Sequence, residues 1–260
     1  MHVPPQQSRG ELPQRAAELI ERLRARGPRV HCLTNAVAQN FTANVLLSLG
    51  CTPSMTISPA EIGVFVARAD ALLINLGTFD RERREAAEVA VMIAAQNNVR
   101  WVLDPVFVDR SAARAAFAQS LSERGARVVR LNAAEFSTLS GRSADREALV
   151  DYAAFRHFVV ALSGKTDLVT DGVRVASIAN GHPLMAKVTA MGCAGSALIA
   201  ACLAVEADAW RAAAAGLTML GVAGELAARG AQGPGSFAAA IIDALYNLDG
   251  ETLLREARVT

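Results

Sequence analysis

A glycine-rich turn in the second half of the chain offers the most evident place for chemistry. Residues 189–196 read TAMGCAGS and lead into a long apolar stretch that predicts a helix. Free backbone N–H groups and the helix dipole at such a start bind anions, and small residues let phosphate oxygens approach the backbone. The turn lacks the Gly-Lys-Ser/Thr ending of a P-loop. Tight packing of a buried helix would produce the same spacing, so the pattern alone leaves both interpretations open.

Cys193 lies in the first turn of that predicted helix. The helix dipole would lower the pKa of a thiol there and favour the thiolate, the reactive form of cysteine. A free cysteine also serves as a small buried apolar side chain, which is the alternative interpretation. None of the four cysteines forms a Cys-x-x-Cys pair, so neither a zinc ribbon nor a thioredoxin-like redox site is indicated.

A second group of polar residues follows the predicted strands. Asn75, Asp104, Asn132 and Ser163 each stand where a short apolar run ends, and Glu135 comes three residues after Asn132. The carboxyl ends of the strands form the ligand-binding edge of open α/β sheets. Two carboxylates and an amide at such an edge suit Mg²⁺ held through water, with nucleotide phosphates as further ligands. Each side chain could instead be a helix cap, and Asn132 with Glu135 matches a capping box.

Alternating apolar runs and amphipathic stretches predict the elements that would position these groups. The order of β-α units, then a meander, then long helices predicts a doubly wound, mostly parallel sheet with an antiparallel edge. Asp171-Gly172 predicts a hairpin between the last two strands. The predicted strands are 30–33, 71–76, 101–103, 128–131, 158–162, 167–170 and 173–178, and the predicted helices are 38–49, 81–97, 112–124, 133–139, 146–154, 193–205, 210–228 and 237–247.

Length, charge and hydropathy narrow the class of protein. The chain has 260 residues, which suits one large α/β domain over 1–260, and its net charge of +1 supplies no field for nucleic acid or an anionic membrane. Residues 188–205 carry no charge, but the glycines near their start indicate a buried helix rather than a membrane span. Residues 1–15 are polar and lack the apolar core of a signal peptide, so we expect a flexible extension and a cytoplasmic protein.

Taken together, these segments resemble hydroxyethylthiazole kinase, a thiamin-salvage enzyme with the ribokinase-like three-layer α/β/α fold. The resemblance covers nearly the whole chain, and its specificity lies in the order and spacing of the segments as a set. The segments are Leu33-Thr34-Asn35, Asn40–Asn44, Leu49-Gly50, Pro53–Met55, Asn75–Thr78, Leu103–Val106, Asn132–Glu135, Asn180–His182, Lys187–Thr189, Gly192-Cys193 and Gly233–Phe237.

The resemblance implies phosphoryl transfer from ATP, with Mg²⁺, to the hydroxyl of 4-methyl-5-(2-hydroxyethyl)thiazole. It also implies a homotrimer with the thiazole sites at the subunit contacts. The residues carried over by resemblance fall into four groups: Met55, Asn35 and Ala190 for the thiazole; Arg130, Ser163 and Asn132 for ATP; Asp104 and Glu135 near magnesium; and Gly192 with Cys193 as the catalytic anion hole. Related sugar kinases carry an aspartate base where this family has cysteine, and Cys193 agrees with this family.

Two positions depart from the usual pattern of the family. The family usually has glycine where this chain has Ala190, and a methyl group there would crowd the thiazole or reshape the turn. The loop after Asp104-Pro105-Val106 is usually glycine-rich, whereas residues 107–111 read FVDRS here. We expect these departures to affect specificity more than fold.

Two other functions are compatible with the same fold. One is an ATP- or ADP-dependent NAD(P)HX dehydratase, which repairs damaged nicotinamide nucleotides and would be expected to carry aspartate near position 193. The other is a non-catalytic nucleotide-binding protein, an alternative motivated by Ala190 and the altered loop.

Overall fold

The structure, a computed structural model, describes residues 11–260, whose strands form one eight-stranded sheet between two layers of helices. The strands are β1 Arg29–Leu33, β2 Thr52–Ser54, β3 Ala71–Asn75, β4 Arg100–Asp104, β5 Val128–Asn132, β6 Val159–Ser163, β7 Asp167–Thr170 and β8 Val175–Ile178. The helices are α1 Glu11–Arg26, α2 Gln39–Ser48, α3 Ile62–Arg68, α4 Arg81–Gln96, α5 Ala112–Ser122, α6 Ala133–Ser140, α7 Arg146–Arg156, α8 Met191–Val205, α9 Ala209–Ala228, α10 Pro234–Asn247 and α11 Gly250–Glu256.

The sheet has the predicted parallel body and antiparallel edge. Its strand order is β2-β1-β3-β4-β5-β6-β7-β8, with every pair from β2 to β6 parallel. The β6–β7 and β7–β8 pairs are antiparallel, and the turn at Asp171-Gly172 joins the last two strands as the sequence predicts. All six parallel strands therefore end at one edge, which is where residues that follow a strand collect.

Alternate side chains of the central strands enter the two separate cores on the two faces of the sheet. In β4, Val102 packs among the side chains of α1, α2 and α8 to α11, whereas Trp101 and Leu103 pack among those of α3 to α7. Successive side chains of a strand point to opposite faces of the sheet, and helices cover both faces. The central strands are therefore apolar on both faces, which explains the continuous apolar runs in the sequence. Helix α8 fills the centre of the first core, and its residues from Ala194 to Ala204 are buried.

Several elements escaped the sequence prediction. The structure adds α1, β2, α3 and α11, all absent from the predicted list. Residues 11–15, predicted as part of a flexible extension, instead begin α1, whose apolar face buries Ala16, Leu19 and Leu23. The rest of that predicted extension, residues 1–10, lies outside the described residues. The single domain over 1–260 stays a prediction, although the described residues all pack on one sheet.

The uncharged stretch at 188–205 behaves as the buried helix that its glycines indicated. Its helical part, α8, is enclosed by protein on every side. Within residues 11–260, no helix combines the length and apolar character needed to cross a bilayer.

Candidate active site

The polar strand-end residues lie side by side, as the pattern predicts. Asn75 of β3 is the register partner of Asp104 of β4, and Asn132 of β5 is the partner of Ser163 of β6. The register of β4 and β5 aligns Leu103 with Val129, so Asn132 and Ser163 lie two residues further along their strands than Asn75 and Asp104. Both pairs lie at the carboxyl edge of the sheet. The edge therefore gathers amides, a hydroxyl and a carboxylate into one place.

Asp104 is held from two directions. Its Oδ2 atom accepts a hydrogen bond of 2.6 Å from the Asn75 amide and one of 2.9 Å from the Ser196 hydroxyl on α8. The side chain is buried, and burial raises its pKa above the ordinary value, while Arg130 and the two donors act in the opposite direction. A positive charge brought close to this carboxylate would therefore be stabilised strongly, because water does not screen it.

Glu135 takes the helix-capping role, and the metal role stays compatible with it. Asn132 and Glu135 form the capping box of α6, with the Glu135 carboxylate accepting from the backbone N–H of Asn132 at 2.9 Å. Its other oxygen accepts from the backbone N–H of Phe107 at 3.1 Å. Burial raises the pKa of Glu135, and the neighbouring Asp104 raises it further. Two buried carboxylates that repel each other favour a cation between them.

The glycine turn opens α8 in an unusual backbone conformation. Ala190, the N-cap residue, has φ +66° in the left-handed region and provides no side-chain cap, so the first-turn N–H groups of α8 remain available. The guanidinium of Arg130 lies across this turn: a Cβ on Gly192 would stand 2.6 Å from its Nη1 atom. The structure therefore brings a cation and a helix N-terminus together at the predicted anion hole.

The surroundings of Cys193 overturn one expectation. Position in the first turn suggested a lowered thiol pKa, but burial raises the pKa of Cys193 to about 11. The charge of Asp104 adds to this, whereas the amides of Asn75 and Asn35 and the charge of Arg130 oppose it. Desolvation is the largest cause because the thiol is largely enclosed, so the free protein holds Cys193 as a neutral thiol near neutral pH.

Asn35 joins the site, and Met55 stands further along the same edge. The Asn35 amide donates to the Sγ atom of Cys193 at 3.2 Å and to the Oδ1 atom of Asn75 at 3.0 Å. Met55 follows β2, which lies two strands from β3, and is half-buried beside the first core. Two strand spacings amount to roughly 10 Å, the size of a small heterocycle with its side chain.

Three residues at the site were not singled out as binding residues from the sequence. Asn75 was noted only as a strand-end residue, yet it connects Asn35 with Asp104. Ser196 fixes Asp104 to α8, and Asp167 faces Arg130 with a pKa that burial raises. A search for polar residues at the ends of strands does not find Asp167, because Asp167 begins β7. This strand is antiparallel to β6, so its start lies at the same edge as the ends of the parallel strands.

Fold and site together define a small-molecule kinase with the ribokinase-like fold. A ribokinase-like superfamily protein from Enterococcus faecalis V583 has the same fold, with a TM-score of 0.68 at 13% identity over 88% of this chain and 93% of that one. The parallel body, the antiparallel edge and the buried helix behind a glycine turn are all present here. The fold class predicted from the sequence is confirmed.

The chain belongs to the hydroxyethylthiazole kinase family, whose model matches residues 20–251. A probable hydroxyethylthiazole kinase from Agrobacterium fabrum is 46% identical over 246 residues, 94% of each chain. The structure of a hydroxyethylthiazole kinase from Pyrococcus horikoshii OT3 matches with a TM-score of 0.90 at 34% identity, over 94% of this chain and 98% of that one. The family predicted from the motifs is therefore confirmed.

Proposed function

We propose that this chain phosphorylates the hydroxyl of 4-methyl-5-(2-hydroxyethyl)thiazole with ATP, the reaction of thiamin salvage. The observation that carries the proposal is the junction of the α8 N-terminus, Arg130 and Cys193 at the carboxyl edge of the sheet. Family membership supports it, because the named relatives are hydroxyethylthiazole kinases. Phosphoryl transfer depends mainly on positioning and charge neutralisation, and this junction supplies both.

Arg130 is the centre of positive charge for the nucleotide. Its charge acts on Asp104, Glu135, Asp167 and Cys193, all at the same edge. Its Nε atom is buried without a partner among the described residues. A phosphate oxygen would satisfy that donor and neutralise the guanidinium. Arg130 thus binds ATP phosphates in this proposal. Asn132 at the end of the same strand and Ser163 at the end of the neighbouring β6 lie beside the nucleotide.

The acidic residues fit Mg²⁺ through their chemistry. Carboxylate oxygens are the ligands that Mg²⁺ prefers, and it keeps several waters and phosphate oxygens as its other ligands. Asp104 and Glu135 are both buried, and burial makes the charged form of each carboxylate less favourable. A divalent cation beside them would stabilise both charged forms. We therefore assign them to hold Mg²⁺ with ATP, where the ion would neutralise the charge of the phosphates.

The minor thiolate form of Cys193 receives the proton of the substrate hydroxyl in this proposal, which returns the side chain to its neutral thiol form. The hydroxyl oxygen forms a bond to the γ-phosphorus, the bond from that phosphorus to the β–γ bridging oxygen breaks, and ADP leaves. The first-turn N–H groups at Gly192 stabilise the transferring phosphoryl group. Met55, Asn35 and Ala190 form the thiazole side. Because the pKa of the thiol is about 11 in the free protein, thiolate is scarce near neutral pH and turnover is expected to be modest.

The dehydratase alternative is not favoured. That activity was expected to accompany aspartate near position 193, and the chain has Cys193 in the first turn of α8. The non-catalytic alternative has no further support either, because Asp104, Arg130 and the glycine turn meet as a kinase site requires.

A homotrimer with sites at the subunit contacts is part of the proposal. The outer edge of β2 is unpaired within residues 11–260. Four apolar side chains exposed by 40% or more lie just before α2, on α2 or on α3: Val37, Leu47, Val64 and Phe65. A free strand edge with apolar neighbours favours association, and Met55 lies beside it. Sedimentation equilibrium tests this, and a monomer at micromolar concentration would refute it. We also propose a cytoplasmic location, because the reaction needs ATP and a reduced Cys193 thiol.

The direct test incubates purified protein with ATP, magnesium chloride and the thiazole alcohol, and measures the phosphate ester and ADP by mass spectrometry. We expect equimolar products, and retained ATP binding without the ester would refute the kinase assignment. Cys193→Ala should lower kcat, whereas Cys202→Ala, a buried cysteine on the same helix, should not. Asp104→Asn and Glu135→Gln should each raise the magnesium concentration needed for half-maximal rate, and unchanged magnesium dependence would remove the metal assignment.

A further inference from the structure

Four side chains in the site form a hydrogen-bonded chain whose directions the structure determines. Asn75 donates to Asp104, Asn35 donates to Asn75, and Asn35 also donates to Cys193. Asn35, Asn75 and Asp104 are all buried. Buried polar chains of this kind are specific, because each group has few alternative partners.

The orientation of the Asn35 amide follows from its neighbours. Its Oδ1 atom accepts from the backbone N–H of Ala38 at 2.9 Å, so the NH₂ group must lie on the other side. A flipped amide would set two oxygens against each other at Asn75 and two N–H groups against each other at Ala38. The two hydrogens of Nδ2 are thus directed to Oδ1 of Asn75, at 3.0 Å, and to Sγ of Cys193, at 3.2 Å.

The orientation of the Asn75 amide is determined in the same way. Its Oδ1 atom accepts from the backbone N–H of Gly77 at 3.0 Å as well as from Asn35. Its Nδ2 atom donates to the Asp104 carboxylate at 2.6 Å, and a flip would place a carbonyl oxygen against that carboxylate. Gly77 leaves the space for this arrangement, since a Cβ there would stand 2.7–2.9 Å from side-chain atoms of Asn35.

We propose that Asn75 is a positioning residue of the kinase site, which directs the Asn35 N–H group toward the Sγ atom of Cys193 and ties that amide to the Asp104 carboxylate. The inference deepens the proposed function and rests on it for the role of Cys193. Asn75 acts on the thiol through Asn35 and through its own amide, and neither action needs a contact with substrate. The charged groups that act on the Cys193 thiol are Asp104, which raises its pKa, and Arg130, which lowers it. The amides of Asn35 and Asn75 also oppose the rise in the pKa.

Removal of Asn75 has a definite consequence for the thiol. In Asn75→Ala the Asn35 amide loses the acceptor that holds one of its hydrogens, and Asp104 keeps only the Ser196 donor on Oδ2. Sγ then has a less well-directed donor, so its thiolate form becomes rarer. Half a pKa unit corresponds to about a threefold change in thiolate at a pH below the pKa.

Alkylation of Cys193 in the protein without ATP or substrate measures this directly. Cys32, Cys51 and Cys202 are buried, so Cys193 is the thiol of the native fold that iodoacetamide should reach first, and peptide mass spectrometry identifies it. N-ethylmaleimide serves as a bulkier second reagent. Both rates follow the same thiolate fraction, so a change in access alters their ratio, whereas a change in the thiolate alters both equally.

We expect Asn75→Ala to slow both reagents by about threefold or more at pH 8 with their ratio kept, and to lower kcat for the thiazole alcohol more than it raises KM for ATP. The matched control is Asn180→Ala, an equally buried asparagine that bonds Glu225 and the backbone near the C-terminus; it should leave both alkylation rates unchanged. Unchanged or faster alkylation of Asn75→Ala, with circular dichroism showing an intact fold, would overturn the proposal. A wild-type protein that makes no phosphate ester would overturn the proposed function instead, and the alkylation result would still stand.

Discussion

Ala190 offers the sharpest test of the structure, because an L-amino acid there adopts φ +66°. The left-handed region costs a residue with a Cβ about 1–2 kcal/mol, whereas glycine adopts it freely. Glycine in turn lowers the free energy of unfolding by about 0.5–1 kcal/mol, because it increases the conformational entropy of the unfolded chain. We therefore expect Ala190→Gly to raise the free energy of unfolding by roughly 0.5–1 kcal/mol, or the Tm by about 1–3 °C for a chain of this size.

The assay is urea unfolding followed by circular dichroism at one protein concentration, since any oligomer makes stability depend on concentration. Ala116→Gly is the matched control, because Ala116 is exposed in the right-handed interior of α5. The same chemical change should lower stability there by about 1 kcal/mol. Opposite signs at the two alanines are the prediction.

A loss of stability in Ala190→Gly, with Ala116→Gly behaving as expected, would show that residue 190 is not left-handed in solution. The reasoning about the turn would then fail. Steady-state kinetics provide a second readout, because residue 190 is on the proposed thiazole side. Removing the methyl group should lower KM for the thiazole alcohol with kcat little changed, as expected for a change in binding alone.

Two further predictions concern His31 and Gly192. Burial lowers the pKa of His31 from 6.5 to about 4. Between these two pH values the unfolded chain binds a proton at His31 and the folded chain does not. The contribution of His31 to the free energy of unfolding is therefore fully present above pH 6.5 and falls by about 3 kcal/mol toward pH 4. Urea titrations across this range should show His31→Gln flattening the dependence, whereas the exposed His157→Gln should leave it unchanged, and an unaltered slope in the first variant would contradict the assignment. Gly192→Ala should raise KM for ATP, because the new Cβ would stand 2.6 Å from the Arg130 guanidinium; Gly235→Ala, which meets no neighbouring atom, is the control, and equal KM values would contradict the contact.

Hydrophobic periodicity was sufficient to predict the parallel body of the sheet and the position of the polar strand ends. The register then confirmed that Asn75 lies beside Asp104, because parallel strands share one carboxyl edge. Short elements escaped prediction: β2 has three residues and α3 has seven, too few for a period to be recognised.

The acid–base properties of the site could not be predicted from the sequence. The first turn of a helix suggested a low pKa for Cys193, but the degree of burial sets the sign, and burial comes from α8 packing at the centre of the fold. Likewise, the capping box of Glu135 was visible in the spacing, whereas the Phe107 N–H group bound to its other oxygen depends on the folded loop.

Two residues at the site adopt a backbone conformation that is costly for their residue type. Among residues 11–260, four non-glycine residues have positive φ: Asn98, Phe107, His157 and Ala190. Asn98 follows α4 and His157 caps α7, and both residue types tolerate the left-handed region at a helix end. Phe107 and Ala190 have no such tolerance, and they stand at the two departures from the family pattern. Phe107 donates its backbone N–H to the Glu135 carboxylate, and Ala190 immediately precedes the buried α8, so neighbouring structure holds both residues in this conformation. We expect the methyl group of Ala190 and the phenyl group of Phe107 to alter what fits the site, while the backbone N–H groups at the start of α8 stay available to a phosphate.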